Sequence, residues 1–334
     1  NKTIFGVIVL LMGWGIIGLA GVSIVNNFIT LGVLFWAGRE FIDDLPKKPD
    51  MSLLKEMVSE SYPLMLNHFL ATIFFQIDIV ILQAIKGSIT VAQYSTSYKW
   101  LLALNIVPAF FTQALFPLMS RQASEDKTKL LQTYRFGIKL MVGLSLPIAV
   151  GFTVLANVLT LILAGASYLP NGAIALMIMI WSIPIGWMNS LTQYALIALN
   201  LQRYITWAFF VAVSFNIISN IIFIPIYGFQ AAAITTILSE AALLIPFAIL
   251  MNRGLEQRIN WLSLIWRPII ATGAMIAVVA LLLPINMILA LVVASVVYLV
   301  VLFALNPLDA NERAIISPML PERIKKLPFL NMSD

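Results

Sequence analysis

The chain has 334 residues, 61% of them hydrophobic and only 10% charged, with a mean hydropathy of +0.96. Soluble domains carry about 25% charged residues, so this composition excludes an ordinary water-soluble enzyme and describes a membrane protein. The net charge of +5 does not indicate nucleic acid, because the charges fall between apolar runs and not on one basic face. With no cysteine and the single His68, disulfides, thiolate metal sites and histidine clusters are excluded too.

The first apolar run, Thr3–Met12, is too short to span a bilayer, and the chain opens at Asn1 with no basic leader or small-residue cleavage site. The expectation is that an N-terminal part of a longer protein is absent and that this run ends a helix begun elsewhere. After Gly13-Trp14-Gly15 a full-length run extends from Ile16 to Ala37. A charged stretch, Arg39 to Glu60, holds Met51, Leu54, Met57 and Val58 at helical spacing, which predicts a short interfacial helix. Two apolar runs then fold back at Lys86–Thr90: Tyr62–Ile85 and Val91–Met119. A polar loop is predicted at Arg121–Arg135, followed by runs at Phe136–Leu163, Ala173–Leu199, Ile205–Ile224 and Phe229–Leu250. Beyond polar Asn252–Asn260 come Ile265–Leu283 and Met287–Leu305, then a polar tail. This reading gives nine spans and a partial one.

Lysine and arginine set the orientation. Arg39, Lys47, Lys48 and Lys55 share one side with Arg121, Lys127, Lys129, Arg135 and Lys139, then Arg203, Arg253, Arg258 and Arg267, then Arg313, Arg323, Lys325 and Lys326. Among the alternate loops only Lys86 is basic. The basic side, with the C-terminus, is therefore predicted to be cytoplasmic. Pro108, Pro117, Pro147, Pro184 and Pro246 fall inside spans, where membrane helices tolerate them by kinking.

Ionisable residues within spans are costly and mark paired or water-lined sites. Asp78 and Lys99 lie about ten residues either side of the Lys86–Thr90 turn, roughly 16 Å at helical rise, so a hairpin would place them at one depth as a pair. Asn67 shares the Asp78 stripe, and Ser95 and Gln113 fall near that of Lys99, which makes these five the candidate cavity residues. Glu240, with Thr236 one turn earlier, has no basic residue in its span. Together with Asp78 it is the candidate for coupling to H+ or Na+; a protonated, hydrogen-bonded structural role is the other reading. Arg121 and Arg135 mark the cytoplasmic mouth, unless they serve only as topology determinants. His68 is expected to be a packing residue. Asn189 with Gln193, and Asn216 with Asn220, form i,i+4 polar pairs suited to interhelical hydrogen bonds or cavity lining.

Phe75-Gln76-Ile77-Asp78-Ile79-Val80-Ile81-Leu82 followed by Val91-Ala92-Gln93-Tyr94-Ser95-Thr96-Ser97-Tyr98-Lys99 resembles the pattern of polysaccharide flippases of the multidrug/oligosaccharidyl-lipid/polysaccharide (MOP) superfamily. Phe116-Pro117-Leu118-Met119-Ser120-Arg121 and Tyr227-Gly228-Phe229-Gln230-Ala231-Ala232-Ala233 resemble later parts of the same helical bundle. The sequence differs at Gln93, where the family usually has Gly, and at Gln230 and Ala231.

The resemblance implies an all-α, polytopic, MATE-like bundle. Residues 1–38 would end the first bundle, most of which is missing, and 39–61 would be a cytoplasmic linker. Residues 62–250 would form the second six-helix bundle, 251–264 a further linker, 265–305 two extra helices and 306–334 a cytoplasmic tail. It also implies flipping of undecaprenyl-pyrophosphate-linked oligosaccharide across the cytoplasmic membrane by alternating access, without a cofactor. Lys99 would then contact the pyrophosphate. Membrane lipids and polysaccharide-assembly proteins are the expected partners, and nucleic acid is not. A MATE-type cation-coupled drug exporter shares that fold and would give Asp78 and Glu240 the main roles. A membrane polymerase or glycosyltransferase would need catalytic clusters on substantial external loops, and the predicted outward loops are short and nearly uncharged.

Overall fold

Glycine and proline decide where most of these helices stop. In a computed structural model, which describes residues 2–43 and 50–305, every regular element among those residues is helical. The predicted tail 306–334 and linker residues 44–49 lie outside the described residues. The chain divides into two units, Asn1–Glu60 and Ser61–Asp334.

In the first unit α1 (Lys2–Leu11) packs against α2 (Gly15–Asp43). The turn between them uses Gly13 and Gly15 at φ of 80° and 57°, a region that L side chains disfavour. A short interfacial helix and a separate span from Tyr62 are predicted after it. The structure instead shows one helix, α3 (Met51–Lys86). The segment contains no glycine, and its first half is rich in Leu, Met and Glu, which favour continued helix.

The second unit continues with α4 (Ser88–Leu104), α5 (Ile106–Glu125), α6 (Lys127–Ala164), α7 (Asn171–Met179), α8 (Ser182–Ala198), α9 (Gln202–Tyr227), α10 (Phe229–Leu255), α11 (Trp261–Leu282) and α12 (Met287–Ala304). Val91–Met119 was expected to be one run, but the helix breaks at Asn105, one turn before Pro108. Proline offers no N–H to the carbonyl one turn back, and its ring crowds that carbonyl. Pro184 acts the same way on the predicted Ala173–Leu199 run: α7 ends at Met179, α8 starts at Ser182, and the two axes differ by 44°. Pro117, Pro147, Pro225, Pro246 and Pro268 sit inside unbroken helices. The polar loop predicted at Arg121–Arg135 is mostly helix. Asp126 alone separates α5 from α6, and its carboxylate accepts hydrogen bonds from the backbone N–H groups of Thr128 and Lys129, capping α6.

Seven helical stretches among the described residues are long and apolar enough to cross a membrane, and the bent α7–α8 pair makes an eighth. The difference from the nine expected lies in Met65–Glu125, whose 61 residues count as one stretch. At helical rise that length is roughly three times a hydrocarbon core. The stretch reverses at Gly87, φ 79°. Asp78 hydrogen-bonds to Tyr94 and Tyr98, which a straight helix would hold roughly 24 and 30 Å away. The chain thus runs out along α3 and returns along α4 and α5.

α3 lies alongside α9 in the same direction. Asn67 Nδ2 donates to the Gln202 carbonyl at 3.3 Å, Phe74 meets Phe209 edge-on at 6.1 Å, and Lys86 Nζ donates to the Pro225 carbonyl at 2.9 Å. α10 packs against both α8 and α9, α4 against α7, and α5 against α8, around a core that includes the fully buried Trp187. α11 and α12 pair with each other and dock on α6, where the Tyr298 hydroxyl donates to the Gly143 carbonyl at 2.6 Å. Outward positions such as Ile218, Ile222, Val292, Val296 and Val300 are exposed and apolar, a surface suited to lipid and not to water.

Candidate functional site

Two buried carboxylates mark the polar interior of the second unit. Asp78 closes a stripe on α3 with Asn67, Leu70, Phe74 and Leu82, all turned inward at helical spacing. Opposite it, Tyr94 and Tyr98 lie one turn apart on the inward face of α4. Both hydroxyls donate to Asp78 Oδ2, Tyr94 at 2.6 Å, while Oδ1 accepts from the Ile79 N–H at 2.8 Å. The Tyr94 hydroxyl also meets Thr236 on α10 at the 3.5 Å limit of a hydrogen bond. One turn along α10, Glu240 Oε2 accepts from Asn189 Nδ2 of α8 at 2.7 Å, and the same amide donates to the Glu240 carbonyl at 2.8 Å. Gly186 faces this carboxylate closely: a Cβ there would stand 3.2 Å from Glu240 Oε1.

A cavity of about 270 Å³ opens among α3, the α4–α5 junction, α8, α9 and α10. Glu240, Asn189, Thr236 and Tyr98 line it, with Gln76, Asn105, Ser190 and Gln193. Asp78 is not in the lining and stands behind Tyr98.

The structure does not bring Asp78 and Lys99 together. Lys99 is exposed on α4, and among the described residues no ion pair joins the two. The reason is the helix face: Lys99 follows Tyr98 by one residue, about 100° further round the helix. Asn67 does share the buried stripe of Asp78 and serves as a tie to α9. Ser95 is half-buried and Gln113 is exposed on α5. Arg121 is exposed and pairs with Glu125 at 3.4 Å, whereas Arg135 is half-buried on α6 with its Nε unpartnered. His68 is exposed. Asn216 and Asn220 bond to each other at 2.7 Å within α9. The residues missed from sequence are Tyr94, Tyr98 and Gly186. The tyrosines had a signal, since a turn at Lys86–Thr90 sets position 98 opposite Asp78 and Tyr94 lies one turn from it. Gly186 had none.

Residues 2–173, just over half of the chain, match the family model for polysaccharide biosynthesis protein. The chain belongs to that family. The matched segment contains Asp78, Tyr94 and Tyr98, whereas Asn189 and Glu240 lie beyond it. A comparison with curated proteins finds no match. Among solved structures, the chain is similar to "Lipid II flippase MurJ, inward closed conformation", with a TM-score of 0.66 and 15% sequence identity. The likeness covers 90% of this chain and 64% of that one, so the chain spans less than two thirds of its structural neighbour. At this identity the match establishes a shared fold, an all-helical membrane architecture.

Proposed function

We propose that the chain is part of a flippase that moves lipid-linked oligosaccharide, carried on undecaprenyl pyrophosphate, across the cytoplasmic membrane for polysaccharide synthesis. The observation that carries this reading is the conjunction of a polysaccharide biosynthesis family with the fold of a lipid II flippase. In this reading residues 62–250 form the second of two bundles, residues 1–38 close the first, and α11 and α12 are additions to the second. The basic loops and C-terminus face the cytoplasm, where Arg121 and Arg135 meet the head group, and the bundles rock to alternate access. Lys99 supports it further. An exposed ammonium within an apolar helix needs water, an anion or more protein, and the diphosphate is an anion that a lysine holds well. Glu240, buried and facing a cavity, is the group we assign to coupling with H+ or Na+.

The test is transport by the native full-length polypeptide in liposomes, following fluorescent lipid-linked oligosaccharide and a cationic dye, with and without an ion gradient. Oligosaccharide flipping that falls at least tenfold in Lys99→Ala supports the flippase and its anion contact. Gradient-driven dye export that is lost in Glu240→Gln and indifferent to Lys99→Ala would replace this reading with a cation-coupled drug exporter.

A further inference from the structure

The cavity beside Glu240 has a chemistry of its own, and a diphosphate does not fit it. No lysine, arginine or histidine lines it, and the ionisable groups that do are Glu240 and Tyr98, whose hydroxyl already donates to Asp78. An anion placed there would meet a carboxylate and no counter-charge, an arrangement that repels and does not bind. Its volume, about 270 Å³, falls just under the range of pockets that hold drug-sized molecules, so it accommodates one small ring and not a chain of several.

The polar lining is that of a site for neutral hydroxyl groups. Among the described residues, the side chains of Gln76, Asn105, Ser190 and Gln193 make no hydrogen bond to the protein. They come from α3, the α4–α5 junction and α8, so they reach the space from several directions. Glu240 Oε2 is occupied by Asn189, and Oε1 lies over Gly186 with no donor. Three amides and one hydroxyl beside a free carboxylate oxygen can donate to and accept from several hydroxyls at once. Phe75, Tyr98 and Phe209 add aromatic surface on which the C–H face of a sugar ring can pack. A bound divalent metal would need converging anionic or imidazole ligands, and no group of three or more His, Asp or Glu that could hold one is present among the described residues.

We propose that this cavity is a subsite for a single neutral sugar ring of the glycan, separate from whatever holds the diphosphate. The proposal rests on the flippase reading above and adds a division of labour to it. Gln76, Asn105, Ser190 and Gln193 select the sugar by its hydroxyl pattern, Glu240 accepts from one hydroxyl, and the charged end is bound elsewhere.

Saturation-transfer NMR on the full-length protein in nanodiscs tests this, with methyl glucoside, methyl galactoside and methyl N-acetylglucosaminide as probes. At least one glycoside is expected to bind, and excess inorganic pyrophosphate is expected to leave that binding unchanged. Gln193→Ala and Asn105→Ala should each weaken it roughly fivefold, the loss of about one hydrogen bond. Ser295→Ala, on the exposed side of α12, should not. Failure of all three glycosides to bind, competition by pyrophosphate, or binding untouched by both substitutions would overturn the subsite. So would a protein indifferent to glycosides whose melting temperature rises with sodium and loses that rise in Glu240→Gln. A protein that flips oligosaccharide but binds no glycoside sinks the subsite and leaves the flippase. One that binds glycoside through Gln193 and Asn105 but flips nothing sinks the flippase and leaves the subsite.

Discussion

Asp78 and Glu240 are both carboxylates buried inside membrane helices, yet their surroundings differ in kind. Asp78 is 0% exposed, with one oxygen gripped by two tyrosine hydroxyls and the other by a backbone N–H. Glu240 is 5% exposed, has one side-chain donor, and keeps an oxygen with no donor beside an open cavity. A buried polar group whose hydrogen bonds are complete holds the structure in one arrangement. One that is half-satisfied next to space can still bind something. Neither carboxylate is paired with a cation, so the difference between the two acids lies in neutral donors.

The comparison breaks most readily at Asp78. Asp78→Ala strands two hydroxyls in the interior, each at a cost of about 1–3 kcal/mol, so the second unit should lose on the order of 3 kcal/mol. Thermal unfolding in detergent should show the largest drop in melting temperature of any change considered. The triple replacement Asp78→Leu, Tyr94→Phe, Tyr98→Phe removes donors and acceptor together and should recover much of that loss. An Asp78→Ala protein that melts like the wild type would show that the cluster is not structural.

The limits of reading this from sequence follow from the same residues. Asp78 and Glu240 stood out because a charged residue in an apolar run is rare, and both are indeed interior. The breaks near Asn105 and Ile180 were anticipated as kinks, since Pro108 and Pro184 stand a turn beyond each. Pro117, Pro147 and Pro246 carry the same signal and break nothing, because packing around a helix decides whether a proline ends it. Partners were harder. Charge suggested Lys99 for Asp78, whereas the true partners are uncharged and sit on the other face of α4. Asn189 was noted as half of a pair with Gln193, but it reaches Glu240 across 51 residues of sequence, a pairing that no local spacing encodes.

Gly186 sharpens the comparison from the Glu240 side. A Cβ at 186 would stand 3.2 Å from Oε1, tighter than ordinary contact, so Gly186→Ala should push the carboxylate a few tenths of an ångström and narrow the cavity. Helix α8 gains from alanine over glycine, up to about 1 kcal/mol, which offsets the crowding. The expected result is a melting temperature within a few degrees of wild type and transport reduced several-fold. The same change of activity accompanied by a large loss of stability would place Glu240 with Asp78 as a structural acid.

A third carboxylate, Glu256, completes the series at the solvent end. It follows α10 in the left-handed region, φ 57°, and its Oε1 lies 2.5 Å from Lys127 Nζ at the start of α6. The hydrogen bond from Lys127, with its charge, holds the Glu256 carboxyl below the ordinary value of 4.5. A carboxyl whose folded value is depressed adds stability above its unfolded value and loses it as pH falls through the folded one. The advantage of wild type over Glu256→Gln should therefore be present at pH 7 and fade as the pH drops below about 4.5. Both side chains face solvent, so the effect should be the smallest of the three and should shrink further in 1 M salt, where screening reaches within about 3 Å. Melting curves at pH 7 and pH 4, each at low and high salt, measure it. A pH-independent difference would mean that Glu256 acts through its backbone at the end of α10, with the ion pair contributing nothing.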